Sequence, residues 1–322
     1  MPEFARPRVV VSRCLGFAPC RWNGEIINDD FTHRLGQWVE WVPVCAEQEI
    51  GLGVPRPPVR LVAGPDGPRM VQPATGRDVT QAMRDFASAW LAGQAGVDGF
   101  LLKSRSPSCG PQDVKVYASA EPGAASHKGR GLFAAAAAAA QPGAPLEHEG
   151  RVRNFAIREH FLTKLFARAE LRQIAHQPSL AGLTQFHARH KLLLMAYSET
   201  GLRRMGRLLA NPQKLPPARV AAEYGRLLDE ALARPPRVGG VINALMHALG
   251  YFKRGLKPAE KAWFLDQLQA YRSGRTPLVA VQGVLMAWVV RFGEEYLAGQ
   301  ALFAPYPVEL MDLGDSGKGR DL

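Results

Sequence analysis

Cys14, Cys20, Cys45 and Cys109 all lie in the first third of a 322-residue chain, and no cysteine follows them. A chain kept in a reducing compartment does not use such thiols as a disulfide framework. Three chemistries remain open: inert buried side chains, a catalytic thiol, or ligands to a metal ion or cluster. Free cysteine is often simply buried, so cysteine content alone does not choose among them. Spacing narrows the choice only slightly, because no Cys-x-x-Cys pair is present.

The segments ahead of three of these thiols share one pattern. Arg8 to Ser12 (RVVVS), Trp41 to Cys45 (WVPVC) and Gly99 to Lys103 (GFLLK) are short apolar runs, each followed by a cysteine-bearing turn. Strands of a parallel sheet deliver ligands in this way, at their carboxyl ends. Pro43 argues against a perfectly regular central strand. Helices are expected over 29–40 and 78–93, a further strand over 114–117, a mobile Gly/Ala/Ser-rich loop over 118–131 and an alanine helix over 133–141. Strands alternating with helices predict an α/β domain, a parallel sheet with flanking helices, over 1–150. Beyond Pro142 to Gly150 strand patterns give way to helical periodicity over 154–169, 183–209, 220–233 and 238–251. An all-α C-terminal domain is therefore expected over 151–311, with a disordered polar tail over 312–322.

Charge follows the same division. Residues 1–150 carry 15 Lys plus Arg against 15 Asp plus Glu, whereas 151–322 carry 25 against 14 and so hold the whole +11 of the chain. A basic module beside a neutral one suits phosphate binding by the basic half; a solvated basic surface is the bland alternative. The amino terminus lacks the apolar stretch of a secretory signal, and the longest apolar run, Leu132 to Ala140, is far short of the roughly 20 residues that span a bilayer. A cytoplasmic location with no membrane partner is expected.

Taken together, VSRCLG around Cys14, VCAEQEIGLGVPRPPVRL around Cys45 and LLKSRSPSCG around Cys109 resemble the bacterial thiouracil desulfidase (TudS-type) family over roughly residues 8–150. FHARHKLLLMAYS, INALMHALGYFK, YRSGRTPL and YLAGQALFAPYPVEL resemble the YbgA-type helical domain, joined to a desulfidase domain in RudS-type transfer RNA 4-thiouridine desulfidases. The resemblance implies a 4Fe-4S cluster held by Cys14, Cys45 and Cys109, leaving one iron open to take a thiocarbonyl sulfur. It further implies hydrolysis of the carbon–sulfur bond with release of hydrosulfide and no net redox change. Glu47, two residues beyond Cys45, is the expected base, although an acid in a first helical turn also has a plain capping role. Ser106 is the expected catalytic hydroxyl, with Ser12, Lys103 and Ser108 around the cluster or substrate pocket; Lys103 equally suits a strand-end lysine reaching solvent. Two features depart from the family: Ala46 replaces the proline of Cys-Pro-Glu, and Cys20 adds a thiol that, as a fourth ligand, would shift the function toward electron transfer or a structural zinc site.

In the helical half, His187, Arg189, His190 and Lys191 form a basic cluster beside Phe186, and Arg203, Arg204, Arg207, Lys253 and Arg254 add charge near Tyr251 and Phe252. RNA contact is the functional expectation for these residues, and a solvated helix face the alternative. His187-x-x-His190 has half the donors of a metal site and no third ligand nearby in sequence. The expected partners are transfer RNA and, in a homodimer, a second copy of the chain. Two other functions stay open: desulfidation of free thiouracil or another small thioamide, and a non-enzymatic iron–sulfur or zinc RNA-binding protein.

Overall fold

A computed structural model describes residues 3–314. These residues divide into two compact units, one of 6–169 with 310–314 and one of 170–309 with 3–5.

Strands β1 (Arg8–Ser12), β2 (Glu40–Val44), β6 (Gly99–Leu102) and β9 (Leu146–His148) form a wholly parallel sheet in the order β2-β1-β6-β9. Val9, Val10 and Val11 of the inner strand β1 are fully buried, because a parallel sheet covered on both faces asks for apolar side chains throughout. Pro43 sits on the edge strand β2, opposite Val11, the place where a residue without an amide hydrogen does least harm. The three expected strands thus form, each followed by a cysteine-bearing turn at its carboxyl end. The first expected helix is shorter than its pattern: α1 covers only Asp30–Leu35, capped by the Asp29 carboxylate, and the chain is already in β2 at Glu40.

A second sheet was not foreseen. β3 (Arg60–Val62), β4 (Arg69–Gln72), β5 (Arg77–Asp78), β7 (Val114–Tyr117) and β8 (Ser126–Gly129) pair in the order β5-β4-β3-β7-β8. β8 corrects the expectation of a mobile loop over 118–131, since Ser126–Gly129 pairs antiparallel with β7. The helices of this unit are the short α2 (Ala46–Glu49), α3 (Thr80–Ala92), α4 (Leu132–Ala140) and the start of α5 (Phe155–His176). One core joins both sheets to α3 and α4, through Val10, Phe100, Leu61, Met70, Met83 and Phe133.

The second unit is helical: the end of α5, then α6 (Leu180–Tyr197), α7 (Glu199–Leu209), α8 (Pro217–Ala231), α9 (Val238–Leu249), α10 (Pro258–Arg272), α11 (Leu278–Phe292) and α12 (Glu295–Ala298). The single helix expected over 183–209 is two. Ser198 is extended (φ −158°) and its hydroxyl accepts from the Gly201 amide, ending α6 and capping α7 in one residue. Among the described residues no helix is long and apolar enough to cross a membrane. Of the expected tail, residues 315–322 lie outside the described residues; Asp312 pairs with Arg34 at 2.7 Å, and the carbonyls of Asp312 and Gly314 accept from the Arg158 guanidinium.

Candidate functional site

The carboxyl ends of the parallel strands meet at one cavity of about 1170 Å³, lined by Ser12, Cys14, Cys20, Cys45, Glu47, Arg56, Lys103, Ser106, Ser108 and Cys109 among others. β1 delivers Ser12 and, one turn on, Cys14, whose position is fixed when the Arg13 amide donates to the Val44 carbonyl at 2.8 Å. The Ser12 hydroxyl accepts from the Lys103 amide at 2.8 Å, tying β1 to the end of β6. β2 delivers Cys45, whose carbonyl accepts from the Gln48 and Glu49 amides and so starts α2. Ala46 opens that helix without the family's proline and is fully buried, and Glu47 stands in its first turn.

β6 leads into the turn Ser106–Gly110, closed by the Gly110 amide on the Ser106 carbonyl at 2.8 Å and the Cys109 amide on Ser106 Oγ at 3.1 Å. The start of α4 clamps it: Leu132 and Ala134 amides donate to the carbonyls of Pro107 and Ser108 at 3.0 and 3.1 Å. The approach is close enough that a Cβ on Gly131 would lie 2.4 Å from the Ser108 carbonyl oxygen.

Glu47 is held from two sides. Oε2 accepts from Arg56 Nε at 3.0 Å and Nη2 at 2.6 Å, and Oε1 accepts from the Ser108 hydroxyl at 2.7 Å. Ser108 Oγ lies 2.9 Å from Ser106 Oγ. With the Ser108 proton committed to Glu47, the Ser106 proton points to Ser108, giving a directed line of hydroxyls from the half-buried Ser106 to the carboxylate. Ser106 Oγ is itself 3.4 Å from Oε1. Lys103, in contrast, is spoken for: its Nζ meets Glu149 Oε1 at 2.5 Å and Ser104 Oγ at 2.6 Å. Burial acts to raise the Glu149 pKa, but the Lys103 charge and the Ser104 hydrogen bonds outweigh it and hold the carboxyl below its usual range.

Cys20 lies with Cys14 and Cys45 in one small buried cluster, and its carbonyl accepts from both Nη atoms of Arg56 at 3.2 Å. Three of the thiols, those of Cys20, Cys45 and Cys109, are pushed above the usual cysteine range. A hydrogen bond with Cys14 and burial push Cys20 up to about 11; Cys20 and burial push Cys45 up; burial pushes Cys109 up to about 12 against hydrogen bonds from Ser12 and Ser108. Among the described residues no three His, Cys, Asp or Glu side chains converge as a single metal ion requires. A 4Fe-4S cluster binds each cysteine through a different iron and so spreads its sulfurs apart; four thiols line the one large cavity, and Cys14, Cys45 and Cys109 on its three strand ends fit that demand better than they fit a lone zinc ion, with Cys20 packed beside Cys14 and Cys45. Loading would have to displace the thiol protons.

Arg56 and Glu149 escaped the sequence analysis. Arg56 stands in PRPP, nine residues past Glu47, and Glu149 directly follows β9, the strand of the all-parallel sheet that was not anticipated; neither carries a local signal of its partner.

In the helical unit the expected RNA-contact residues divide by accessibility. His190 is buried, stacked on Phe186 at 4.0 Å, and burial lowers its pKa to about 3, so direct contact through its side chain is corrected to a packing role. His187 Nδ1 lies 3.0 Å from the Tyr224 hydroxyl, and its pKa is lowered by burial and by Lys191. Arg189 pairs with Glu170, Arg203 with Glu199 and Arg204 with Glu230, at 2.6, 2.5 and 2.9 Å. Lys191, Arg207, Lys253 and Arg254 are exposed and have no carboxylate partner among the described residues.

Residues 9–149 match the model of the 2-thiouracil desulfurase family, and residues 191–307 match a family of unknown function, DUF1722. Over 160 residues the chain is 27% identical to the uncharacterized protein YbgA of Escherichia coli (strain K12), covering 48% of this chain and 93% of YbgA. Over 109 residues it is 31% identical to the uncharacterized protein YbbK of Bacillus subtilis (strain 168), covering 32% of this chain and 72% of YbbK. A solved structure described as a [4Fe-4S]-dependent thiouracil desulfidase, TudS, aligns at 27% identity with a TM-score of 0.36, covering 46% of this chain and 93% of that one. With three cysteine turns, a carboxylate and two serines gathered at one sheet edge, the chain belongs to the 2-thiouracil desulfurase family and carries a DUF1722 region after its desulfurase domain.

Proposed function

We propose that the protein hydrolyses the carbon–sulfur bond of a thiolated pyrimidine, and that its substrate is 4-thiouridine in transfer RNA. The observation that carries the chemistry is the line Ser106–Ser108–Glu47 beside the thiols of Cys14, Cys45 and Cys109. Those three thiols would hold a 4Fe-4S cluster, and a cluster with one iron free of protein ligands supplies a thiophilic Lewis acid. Glu47 Oε1 takes a proton from water as its oxygen attacks the thiocarbonyl carbon. The Ser106 hydroxyl, backed by Ser108, moves a proton at the ring or the leaving sulfur. Thiocarbonyl plus water becomes carbonyl plus hydrosulfide and a proton, with no electrons exchanged.

Support for RNA comes from the charge division and from the exposed, unpaired Lys191, Arg207, Lys253 and Arg254 in the helical unit. Arg203 and Arg204 could exchange surface carboxylates for phosphates at little cost, because exposed ion pairs contribute only about 0–1 kcal/mol, whereas Arg189 is half-buried against Glu170. Free thiouracil is the second reading, favoured by the family to which the desulfurase domain belongs.

The deciding assay measures sulfide released from 4-thiouridine-containing transfer RNA and from free thiouracil, with protein purified and cluster-loaded without oxygen. The expected result is turnover on the RNA, with kcat reduced about 10²–10⁴-fold in Glu47→Gln. Turnover on thiouracil alone would overturn the RNA substrate and leave the desulfidase. No turnover on either with a loaded cluster would overturn both.

A further inference from the structure

Helix α11 carries an apolar face that the fold of its own unit leaves open. From Leu278 to Val290 it has no charged residue, and a helix apolar all round belongs inside a core. Val281, Leu285, Trp288 and Val289 meet that demand and are buried. On the opposite side Ala280, Gly283, Ala287 and Val290 are exposed, Val290 to 80%. Their spacing of three or four residues lines them up as one stripe along the helix.

Gly283 is the least expected of the four. Glycine inside a helix is unfavourable relative to alanine, yet a Cβ at this position would meet nothing within 4 Å. No close approach within the chain requires the glycine, so a bare backbone there serves a surface that arrives from outside. Helix α10 adds a ridge beside the stripe: Trp263, 51% exposed, stands with Val284 and Trp288 around a shallow cavity of about 360 Å³.

Charge selects the occupant. Glu260 and Arg291, at the border of the face, pair with each other at 2.7 Å, so the face is neutral in a half of the chain that holds a net +11. RNA or an acidic protein gains most where cations are free, and would be drawn to other parts of this unit. Two copies of this chain repel wherever their basic surfaces meet and can approach only through a neutral face. A two-fold contact also asks one patch to supply both halves of the fit, and here a projecting ring and an open groove lie side by side.

We propose that the α10–α11 face is a homodimer interface, with Trp263 of each copy seated on the Gly283 stripe of the other. The inference is independent of the desulfidase reading and of any RNA contact.

Sedimentation equilibrium of the full chain, treated with nuclease so that no RNA bridges two copies, tests it between about 1 and 100 µM. The mass should approach twice 35.2 kDa. Raising salt from about 50 to 500 mM should strengthen the association, because screening weakens the repulsion between like-charged copies and leaves the apolar contact intact. Gly283→Gln should weaken dimerisation at least about tenfold while raising the unfolding midpoint of the dilute chain, since the new side chain blocks the approach but favours the helix. That pairing of gain and loss is one that a merely structural glycine would not produce. Val290→Glu, at a side chain the fold does not bury, should weaken dimerisation without lowering the midpoint. A mass of 35.2 kDa at every concentration, a dimer that survives both substitutions, or an association that weakens as salt rises would each overturn the interface.

Discussion

At the scale of residues, the position of Glu47 depends on a group that has no chemistry of its own in the reaction. The Arg56 and Glu47 side chains are only 4% and 11% exposed, and the guanidinium also satisfies the carbonyls of Cys20 and Gly53. It thereby fixes the carboxylate, the loop carrying Cys20 and its own loop in one network. Removing one partner of a buried ion pair leaves the other charge uncompensated, which costs about 3–5 kcal/mol. Arg56→Ala is therefore expected to lose that much stability in denaturant unfolding of the oxygen-free protein, and a loss under 1 kcal/mol would mean that water replaces the guanidinium. Glu47 was legible because it follows Cys45 by two residues in the quoted motif. Arg56 was not, because a loop brings it back onto α2 and nothing in PRPP announces a carboxylate partner.

At the scale of elements, three strands of the parallel sheet were readable, whereas of the five-stranded sheet only β7 was. β1, β2 and β6 each have four or five residues of apolar or β-branched sequence running into a turn, whereas β5 is Arg77–Asp78 and β8 is Ser126–Gly129, too short and polar to show a period. The same polar loop-like composition hid the role of Gly131. Its amide donates to the Gly110 carbonyl at 2.8 Å, and it begins the helix that clamps the Cys109 turn. A methyl group there would meet the Ser108 backbone, which cannot swing aside as a flexible side chain would. Gly131→Ala should cost about 1–3 kcal/mol by overpacking and, because the strain falls on the Cys109 turn, should lower the iron bound per chain after anaerobic loading. Full iron content and an unchanged unfolding midpoint would show that the turn does not depend on this close approach.

At the scale of the whole molecule, the chain segregates its charge, and the proposed RNA partner is what would make use of that division. The desulfurase half is neutral in sum and the whole excess of +11 lies in residues 151–322. A thiocarbonyl ring is uncharged and responds to ionic strength only weakly, whereas each phosphate contacted releases condensed counterions and steepens the salt dependence of binding. If Lys191, Arg207, Lys253 and Arg254 each neutralise one phosphate, the logarithm of transfer RNA affinity should fall with the logarithm of salt at a slope of about −3, from about −0.7 to −0.9 per contact. A rise from about 50 to 200 mM salt would then weaken binding roughly 50- to 150-fold, and further contacts would add to this. Turnover on free thiouracil over the same range should stay nearly constant. Neutralising Arg207, Lys253 and Arg254 together should flatten the slope by about 2–3, a change that filter binding across a salt series resolves directly. An unchanged slope in the triple variant would remove these residues from the RNA interface and return the basic excess of the helical unit to solubility.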